Sequence, residues 1–475
     1  MAVEYDVVVI GGGSGGLVIA AAAAQLKAKV ALVERDRLGG DCLWSGCVPS
    51  KSLIHASRVA YEVKNAARFG IYCQNLEIDF ALANRHVQQA IAAIQPHDSP
   101  ERFQSLGVEV IFGEGQFIDR QTFAVNGKQL KARAFACTTG SRPKIPPIPG
   151  LEAAGYLTNE QVFSLKELPP SLAIIGGGPI GCELGQAFSR LGSKVTIIAS
   201  SHHVLPKEDP EAALVVQQQL ESEKIRVITA TRVERVEQID GKKHLWAGTE
   251  KIIADEILVA AGRMPNVESL NLEAAGVEVG ERGIRVNEKL QTTNPRIYAC
   301  GDVIGGYQFT HVAGYEASVV LKNALFFPVT KANYRVIPWA TFTDPELARV
   351  GLTEKQAKER YGDDIYVLKQ DFAGVDRAQA EAATKGFAKI ITRGNGEILG
   401  AHLVGAAAGE LLHEIVLAMS NNLKVSALSG IIHIYPTLAE VNSKAALLLT
   451  KQKYAKNRRL QRLLARFFGL MRSLS

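Results

Sequence analysis

The feature that most constrains the fold is a strand–glycine–helix unit that occurs twice in the chain. The first copy, residues 5–34, reads YDVVVIGGGSGGLVIAAAAAQLKAKVALVE, and the second, residues 171–200, reads SLAIIGGGPIGCELGQAFSRLGSKVTIIAS. Each copy has a β-branched run, a G-x-G-x-x-G turn, a helical segment and a second strand-like run, which is the order of a parallel β-α-β unit. The sequence therefore predicts an α/β fold with two Rossmann-like domains.

The glycine turns predict two dinucleotide-binding sites. Glycine lets the backbone turn tightly and lets a pyrophosphate approach the helix N-terminus, whose amides and dipole favour an anion. One such turn alone is weak evidence, since a glycine turn without a ligand also fits it. The glycines concerned are Gly11, Gly13 and Gly16 in the first copy and Gly176, Gly178 and Gly181 in the second.

The two copies differ at the end of their second strand. Glu34 ends the strand of the first copy, where a carboxylate accepts the ribose hydroxyls of an adenosine. The second copy has Ala199 and Ser200 there, so nothing repels a 2′-phosphate, and the second site is predicted to prefer NADP. Candidate phosphate partners are His202, His203 and Lys207. An exposed loop without that role accounts for these three residues equally well.

A pair of cysteines lies between the two copies, in the segment GGDCLWSGCVPSK at residues 39–51. Cys42 and Cys47 could ligate a metal, form a structural bridge or exchange electrons. The other cysteines are scattered, which is typical of a reducing compartment rather than of a disulfide scaffold. An apolar strand begins almost at the first residue, so we expect no leader peptide and a cytoplasmic protein.

Length, composition and charge indicate how many domains the chain has and which kinds of partner it does not bind. A chain of 475 residues with 47% hydrophobic and 21% charged content predicts about three globular domains. Eight Lys and Arg residues and no acid lie within residues 451–475, so the other 450 residues carry a formal net charge of −2 although the whole chain carries +6. The body of the protein is therefore near neutral, and a general nucleic-acid-binding surface is not supported.

With two glycine-turn copies and one cysteine pair, the chain resembles the pyridine nucleotide–disulfide oxidoreductases of the dihydrolipoamide dehydrogenase, glutathione reductase and mercuric reductase group. The resemblance covers about residues 1–450 and includes TTGSRP (138–143), AAGRMPN (260–266), YACGDV (298–303) and FTDPELARVGLTE (342–354). It implies FAD at the first turn, a nicotinamide dinucleotide at the second, and a C-terminal α+β domain that forms a homodimer. The implied domains are 1–150 and 271–335 for FAD, 151–270 for NAD(P), 336–450 for dimerisation and 451–475 as a basic tail.

The resemblance also implies roles for the site residues. A zinc site lacks two further ligands nearby, and a structural bridge survives poorly in a reducing compartment, so a redox pair is favoured. Electrons would then pass from NADPH through the flavin to the disulfide, and a freed thiolate would attack the substrate. By resemblance Cys47 faces the flavin, Cys42 is the interchange thiol, and Lys51 lies beside the flavin N5 with Glu183 as its partner. Asp302, Gly140, Gly262 and Ser200 are the remaining residues assigned to cofactor binding.

The chain departs from the disulfide reductases of this group at HIYPTLAE, residues 433–440. Tyr435 stands where those enzymes have a catalytic histidine, backed by a glutamate that is Glu440 here. A phenol is a poor base at neutral pH, and mercuric reductases resemble this chain in having tyrosine. The favoured acceptor is therefore thiol-bound Hg(II), held transiently by Cys42 and Cys47.

Other readings remain open on the sequence. The chain has no cysteine after Cys300, whereas mercuric reductases typically end in a cysteine pair, so metal would arrive on a soluble thiol or a carrier. A reductase of a small disulfide or a quinone is one alternative, and a redox-sensing flavoprotein is another.

The basic tail shows helical periodicity. An apolar stripe lies opposite Arg459, Arg462 and Arg466. The stripe consists of Leu460, Leu463, Leu464, Phe467, Phe468 and Met471. The pattern predicts either an extra helix packed on the dimerisation domain or, within residues 456–475, a peripheral contact with anionic membranes.

Overall fold

The computed structural model describes residues 3–474, which form two compact units. The first unit comprises the chain up to Ser201 together with Glu223–Asn333. The second comprises His202–Ser222 and the chain from Tyr334 onward. The first unit contains both glycine-turn copies. The helix Pro210–Ser222, which the sequence groups with residues 151–270, lies in the second unit and packs on its sheet.

A seven-stranded sheet contains the first glycine-turn copy. Its central strand, Tyr5–Ile10, is almost entirely buried, as expected for a β-branched run inside a parallel sheet. In spatial order the strands are Val108–Phe112, Val30–Glu34, Tyr5–Ile10, Lys128–Cys137, Thr122–Val125 and Gly115–Asp119, and Ile297–Ala299 also pairs with Lys128–Cys137. The last two strands in this order are antiparallel and the other pairings are parallel. The helices of this part are Ser14–Gln25, Gly40–Trp44, Cys47–Lys64, Phe80–Ile94, Pro100–Ser105 and Thr310–Leu325.

A parallel four-stranded sheet contains the second copy. Its strands, in spatial order, are Arg226–Ile228, Lys194–Ile198, Ser171–Ile175 and Glu256–Val259. An antiparallel sheet follows with strands Arg235–Ile239, Lys242–Ala247 and Glu250–Ala254. Two short antiparallel pairs are Ser141–Pro143 with Arg263–Pro265 and Val279–Gly280 with Gly283–Ile284. The helices here are Leu151–Ala154 and Pro179–Leu191.

The second unit is built on a five-stranded antiparallel sheet. In spatial order its strands are Pro338–Thr341, Glu346–Gly351, Ile398–Gly405, Phe387–Thr392 and Tyr366–Asp371. Its helices are Pro210–Ser222, Glu354–Tyr361, Asp376–Ala380, Ala408–Ser420, Ser426–Gly430, Glu440–Lys456 and Arg458–Leu474. The apolar core lies between this sheet and the helices Ala408–Ser420 and Glu440–Lys456. Together the two units confirm the predicted fold class.

Among residues 3–474, no helix combines the length and the apolar character needed to cross a bilayer.

Candidate functional site

The first glycine turn packs too closely against neighbouring backbone to admit a side chain at Gly11 or Gly16. Gly11 has a φ of +104°, and a Cβ atom there would lie 2.5 Å from the carbonyl oxygen of Thr138. A Cβ atom on Gly16 would lie 1.9 Å from the Gly11 oxygen. The helix Ser14–Gln25 begins directly after Gly13, so its first amides point into the turn. The turn therefore fits a pyrophosphate at a helix N-terminus.

Glu34 is held beside this turn by two backbone amides. Its Oε2 atom accepts a hydrogen bond from the Gly12 amide at 2.6 Å, and its Oε1 atom accepts one from the Asp36 amide at 2.8 Å. A carboxylate positioned in this way at the end of the second strand is placed to accept ribose hydroxyls. The first site therefore has the residues that an adenosine dinucleotide requires.

The second glycine turn repeats the hydrogen bond that ties the first turn to the end of its neighbouring strand. The Gly176 amide donates to the Ile198 oxygen at 2.9 Å, as the Gly11 amide donates to the Val33 oxygen at 2.8 Å. Ala199 is therefore the structural counterpart of Glu34. The Ala199 carbonyl accepts a hydrogen bond from the Thr231 amide at 3.1 Å. Arg232, whose side chain is exposed, is the next residue after Thr231. Arg232 is a candidate phosphate partner that lies 33 positions after Ala199, too far for sequence inspection to identify it.

The two cysteines lie on consecutive helices, a short one and a long one. Cys42 is part of Gly40–Trp44 and is half-buried, whereas Cys47 is the first residue of Cys47–Lys64 and is exposed. Both are thiols in this structure. The pKa of Cys47 is lowered to about 6, chiefly because its sulfur accepts a hydrogen bond from Cys42, and also by Thr310 and the charge of Lys51. The same hydrogen bond and burial raise the pKa of Cys42. At neutral pH Cys47 is therefore the thiolate and Cys42 the thiol.

Lys51 forms an ion pair with Glu183. The Lys51 Nζ atom donates to Glu183 Oε2 at 2.8 Å, and the Glu183 side chain is buried within the helix Pro179–Leu191. Lys51 lies one turn after Cys47 on the same helix. The buried carboxylate fixes the position of the ammonium group, so a positive charge stays close to the Cys47 thiolate.

Asp302 belongs to a polar cluster that reaches the helix Gly40–Trp44 through Asp41. Ser141 donates its hydroxyl to Asp302 Oδ2 at 2.5 Å, and Arg263 donates to Ser141 Oγ at 2.7 Å and forms an ion pair with Asp41 at 2.9 Å. Burial raises the pKa of Asp302. The cluster links the segment that precedes Cys42 with a buried carboxylate that can accept hydrogen bonds from a cofactor's hydroxyl groups.

Gly140 and Gly262 come directly before the paired strands Ser141–Pro143 and Arg263–Pro265. Their φ values of +68° and +117° favour glycine, and a Cβ atom at either position would meet no atom within 4 Å. The open space beside both glycines fits a cofactor that lies along this pair of strands.

The segment around Tyr435 lies in the second unit. The Tyr435 hydroxyl donates to Asp376 Oδ2 at 2.9 Å, and this hydrogen bond, with the charges of Asp376 and Glu440, raises the tyrosine pKa above its usual value. Glu440 Oε2 is buried and has no hydrogen-bond partner among the described residues. His433 Nε2 lies 3.0 Å from Glu414 Oε1, which agrees with a structural role for this histidine.

Sequence inspection missed Thr310 and Asp376. Thr310 Oγ1 lies 3.3 Å from Cys47 Sγ, and the two residues are 263 positions apart. Asp376 is 59 positions from Tyr435. Neither residue belongs to a local motif, so only the folded chain brings each one to its partner.

The contact between Thr310 and Cys47 leads to a prediction. Thr310→Val removes a hydroxyl that stabilises the thiolate, so the pKa of Cys47 rises by about one unit, because a hydrogen bond to a charged group contributes ~1.5–3 kcal/mol. The pH dependence of Cys47 alkylation in the reduced protein, followed by mass spectrometry, measures this shift. Thr310→Ser keeps the hydroxyl and serves as the control. An unchanged alkylation profile in the valine variant contradicts the prediction.

No group of three or more His, Cys, Asp or Glu side chains is arranged to hold a metal ion within residues 3–474. Burial raises the pKa of the thiols of Cys137, Cys182 and Cys300. Cys73 is exposed but stands alone, so the cysteine pair is the place in the described chain where two thiols can act together on a soft metal or a disulfide.

The chain is similar to known oxidoreductases over nearly its whole length. Residues 5–317 match the family described as pyridine nucleotide-disulphide oxidoreductase, and residues 337–446 match its dimerisation domain. A mercuric reductase of Staphylococcus aureus is 37% identical over 94% of this chain and 83% of that protein. A mercuric reductase of Bacillus cereus is 39% identical over 94% of this chain and 72% of that protein.

Two further similar proteins have names that indicate other activities than mercury reduction. A dihydrolipoyl dehydrogenase of Bacillus subtilis (strain 168) is 34% identical over 93% of this chain and 98% of that protein. The Cu(II) complex of the HOCl-induced flavoprotein disulfide reductase RclA from Escherichia coli has a TM-score of 0.85 at 29% identity, over 94% of this chain and 100% of that one. The dimerisation domain supports a homodimer, and FAD with NAD(P)H are the family's cofactors. From the glycine turns, the cysteine pair and these matches, the chain belongs to the pyridine nucleotide–disulphide oxidoreductase family.

Proposed function

We propose that this flavoprotein oxidoreductase passes electrons from NADPH to thiol-bound Hg(II). The observation that carries the proposal is the hydrogen bond from Tyr435 to Asp376, which raises the pKa of a phenol that is already protonated at neutral pH. The position at which disulfide reductases of the group use histidine thus offers no base. The higher identity to mercuric reductases, at 37% and 39%, than to a dihydrolipoyl dehydrogenase, at 34%, supports the same acceptor.

The cysteine pair suits a soft metal held between two sulfurs. The Cys47 thiolate displaces one thiolate of the incoming Hg(II) complex, and Cys42 displaces the second and gives its proton to that leaving thiolate. FAD, when bound, would supply the two-electron relay from the nicotinamide to the metal held by the sulfur pair. Two electrons convert the held Hg(II) to the metal, and the proton that accompanies them returns to Cys42. The pair ends as it began, with a thiolate at Cys47 and a thiol at Cys42.

Lys51 and Glu183 position the positive charge in this scheme. The 2.8 Å ion pair keeps the ammonium group near Cys47, where it favours the thiolate throughout the cycle. In this scheme a soluble thiol complex or a carrier protein delivers the metal to the interchange thiol Cys42, which is only partly buried, without a further cysteine pair. The reaction belongs in a reducing cytoplasm, where such thiols are abundant.

The counterpart relation between Ala199 and Glu34 supports NADPH as the electron donor. Ala199→Glu places a carboxylate where a 2′-phosphate would lie, so the ratio of kcat/KM for NADPH to that for NADH falls at least about tenfold, because like-charge contacts cost several kcal/mol. Steady-state kinetics with both dinucleotides measure the ratio, and Ala199→Gln, which has a similar size without the charge, is the control. An unmodified protein that uses NADH equally well or better contradicts the assignment.

A panel of acceptors tests the proposed function. Oxidation of NADPH by the holoenzyme is followed with Hg(II) in excess thiol, with lipoamide, with glutathione disulfide and with a quinone. We expect rapid, Hg(II)-dependent oxidation and slow turnover of both disulfides. Preference for a disulfide or a quinone replaces the proposal with the corresponding reductase. Flavin reduction without turnover of any acceptor replaces it with a redox-sensing flavoprotein.

A further inference from the structure

The helix Arg458–Leu474, called the tail helix below, has no buried side chain. Asn457 separates it from the preceding helix Glu440–Lys456, and the Asn457 side chain accepts a hydrogen bond from the Leu460 amide at 3.0 Å. The preceding helix packs on the five-stranded sheet through buried residues such as Val441 and Ala445. The tail helix is therefore a separately capped element, not a continuation of that packed helix.

The apolar residues of the tail helix all lie on one face. At 3.6 residues per turn, they fall within an arc of about 160° with no polar residue among them. The face comprises the six residues expected from the sequence together with Leu470 and Leu474. All of these side chains except the partly buried Leu464 are exposed: Leu463 is 64% exposed, Phe467 51% and Phe468 53%. Packing on the dimerisation domain, one of the two expectations from the sequence, is not observed in the described chain.

The opposite face of the tail helix is strongly basic. It carries five arginines, namely Arg458, Arg459, Arg462, Arg466 and Arg472. The preceding helix adds Lys451, Lys453 and Lys456, and the sequence has no Asp or Glu after Glu440. The positive charge of the chain is therefore concentrated beside an exposed apolar face.

We propose that the tail helix binds the surface of anionic membranes, lying in the plane of the interface. The apolar face enters the boundary between headgroups and acyl chains, and the arginines extend to the lipid phosphates. Charge complementarity selects this partner over the tail helix of a second copy, because pairing two tail helices brings ten arginines together without any acid from either helix. The arginines also exclude a transmembrane orientation.

Co-sedimentation of the full-length FAD-loaded protein with vesicles tests this proposal. Vesicles of phosphatidylcholine with about 30% phosphatidylglycerol bind the protein, whereas vesicles of phosphatidylcholine alone bind it weakly. High salt releases the protein from the anionic vesicles. The combined variant Arg459→Gln, Arg462→Gln and Arg466→Gln lowers the partition coefficient on the order of 100-fold, at roughly fivefold per charge.

Paired serine variants test the apolar face. Phe467→Ser with Phe468→Ser lowers binding at least about tenfold, because apolar area is lost from the embedded face. Ala465→Ser with Gly469→Ser alters the basic face without changing its charge and leaves binding intact. NADPH oxidation is unchanged in every variant, which shows that each one folds.

Two outcomes overturn the proposal. One is vesicle binding that is the same after truncation at Ala455 as in the full-length protein. The other is an unmodified protein that stays in the supernatant with anionic vesicles. If the protein stays in solution and light scattering shows that truncation lowers its oligomeric state, the tail helix contacts a second copy instead.

Discussion

Cys42→Ala and Cys47→Ala each abolish reduction of the acceptor, with a loss of at least about 10³-fold in kcat/KM, because the two sulfurs act as a unit. Cys47 supplies the thiolate, whose pKa is lowered to about 6, and Cys42 supplies the proton and the second sulfur. Steady-state oxidation of NADPH with Hg(II) in excess thiol measures the loss. Each variant still binds FAD and still reduces ferricyanide, an electron acceptor that does not need the sulfur pair.

Cys73→Ala is the matched control for these variants. Cys73 is exposed, like Cys47, and makes only a weak local contact with the Asn75 carbonyl. Its replacement leaves every activity unchanged. Retention of Hg(II) reduction by either variant of the pair would place the chemistry outside the pair and remove the basis of the proposed function.

Tyr435→His raises the reduction of lipoamide and glutathione disulfide by about 10²-fold, the lower range of what general acid–base catalysis supplies. Disulfide exchange must move a proton at the interchange thiol, and the pKa of Cys42 is raised, so this thiol needs a base. The phenol cannot act as that base near pH 7, because Asp376 raises its pKa further above neutrality. A histidine titrates near pH 6.5 and can accept the proton.

The structure provides two controls for the histidine variant. Tyr435→Phe removes the hydroxyl without adding a base, so disulfide activity stays low. Glu440 has a buried carboxylate oxygen without a hydrogen-bond partner among the described residues, and the resemblance makes this residue the support of the histidine. Adding Glu440→Gln to Tyr435→His therefore removes most of the gain. The interpretation fails if the unmodified protein already turns over lipoamide at ~10² per second or more.

The glycine turns, and the lack of a carboxylate at Ala199, could be predicted from the sequence because each depends only on neighbouring residues in the chain. A turn that brings a backbone close to a phosphate needs glycine at fixed spacings, and Gly11 and Gly176 adopt the positive φ values that this requires. The end of a strand can also be located from its β-branched run. Ala199 therefore takes the place of Glu34 in the structure, as the sequence indicates.

The surroundings of the reactive groups depended on contacts that no local pattern encodes. Thr310 reaches Cys47 across 263 positions, and Asp376 reaches Tyr435 across 59. Both contacts exist because helices and strands from distant parts of the chain pack together. Thr310 contributes to the lowered pKa of Cys47 and Asp376 raises the pKa of Tyr435, so the sequence identified the reactive residues but not these contributions to their pKa values.

The tail shows the same division between sequence and structure. Helical periodicity determined that residues 458–474 form one helix with an apolar face and a basic face, because side-chain direction follows from backbone geometry alone. Whether that apolar face is buried depends on what the rest of the chain places against it. In the described chain the apolar face stays exposed, and only the tertiary structure could decide this.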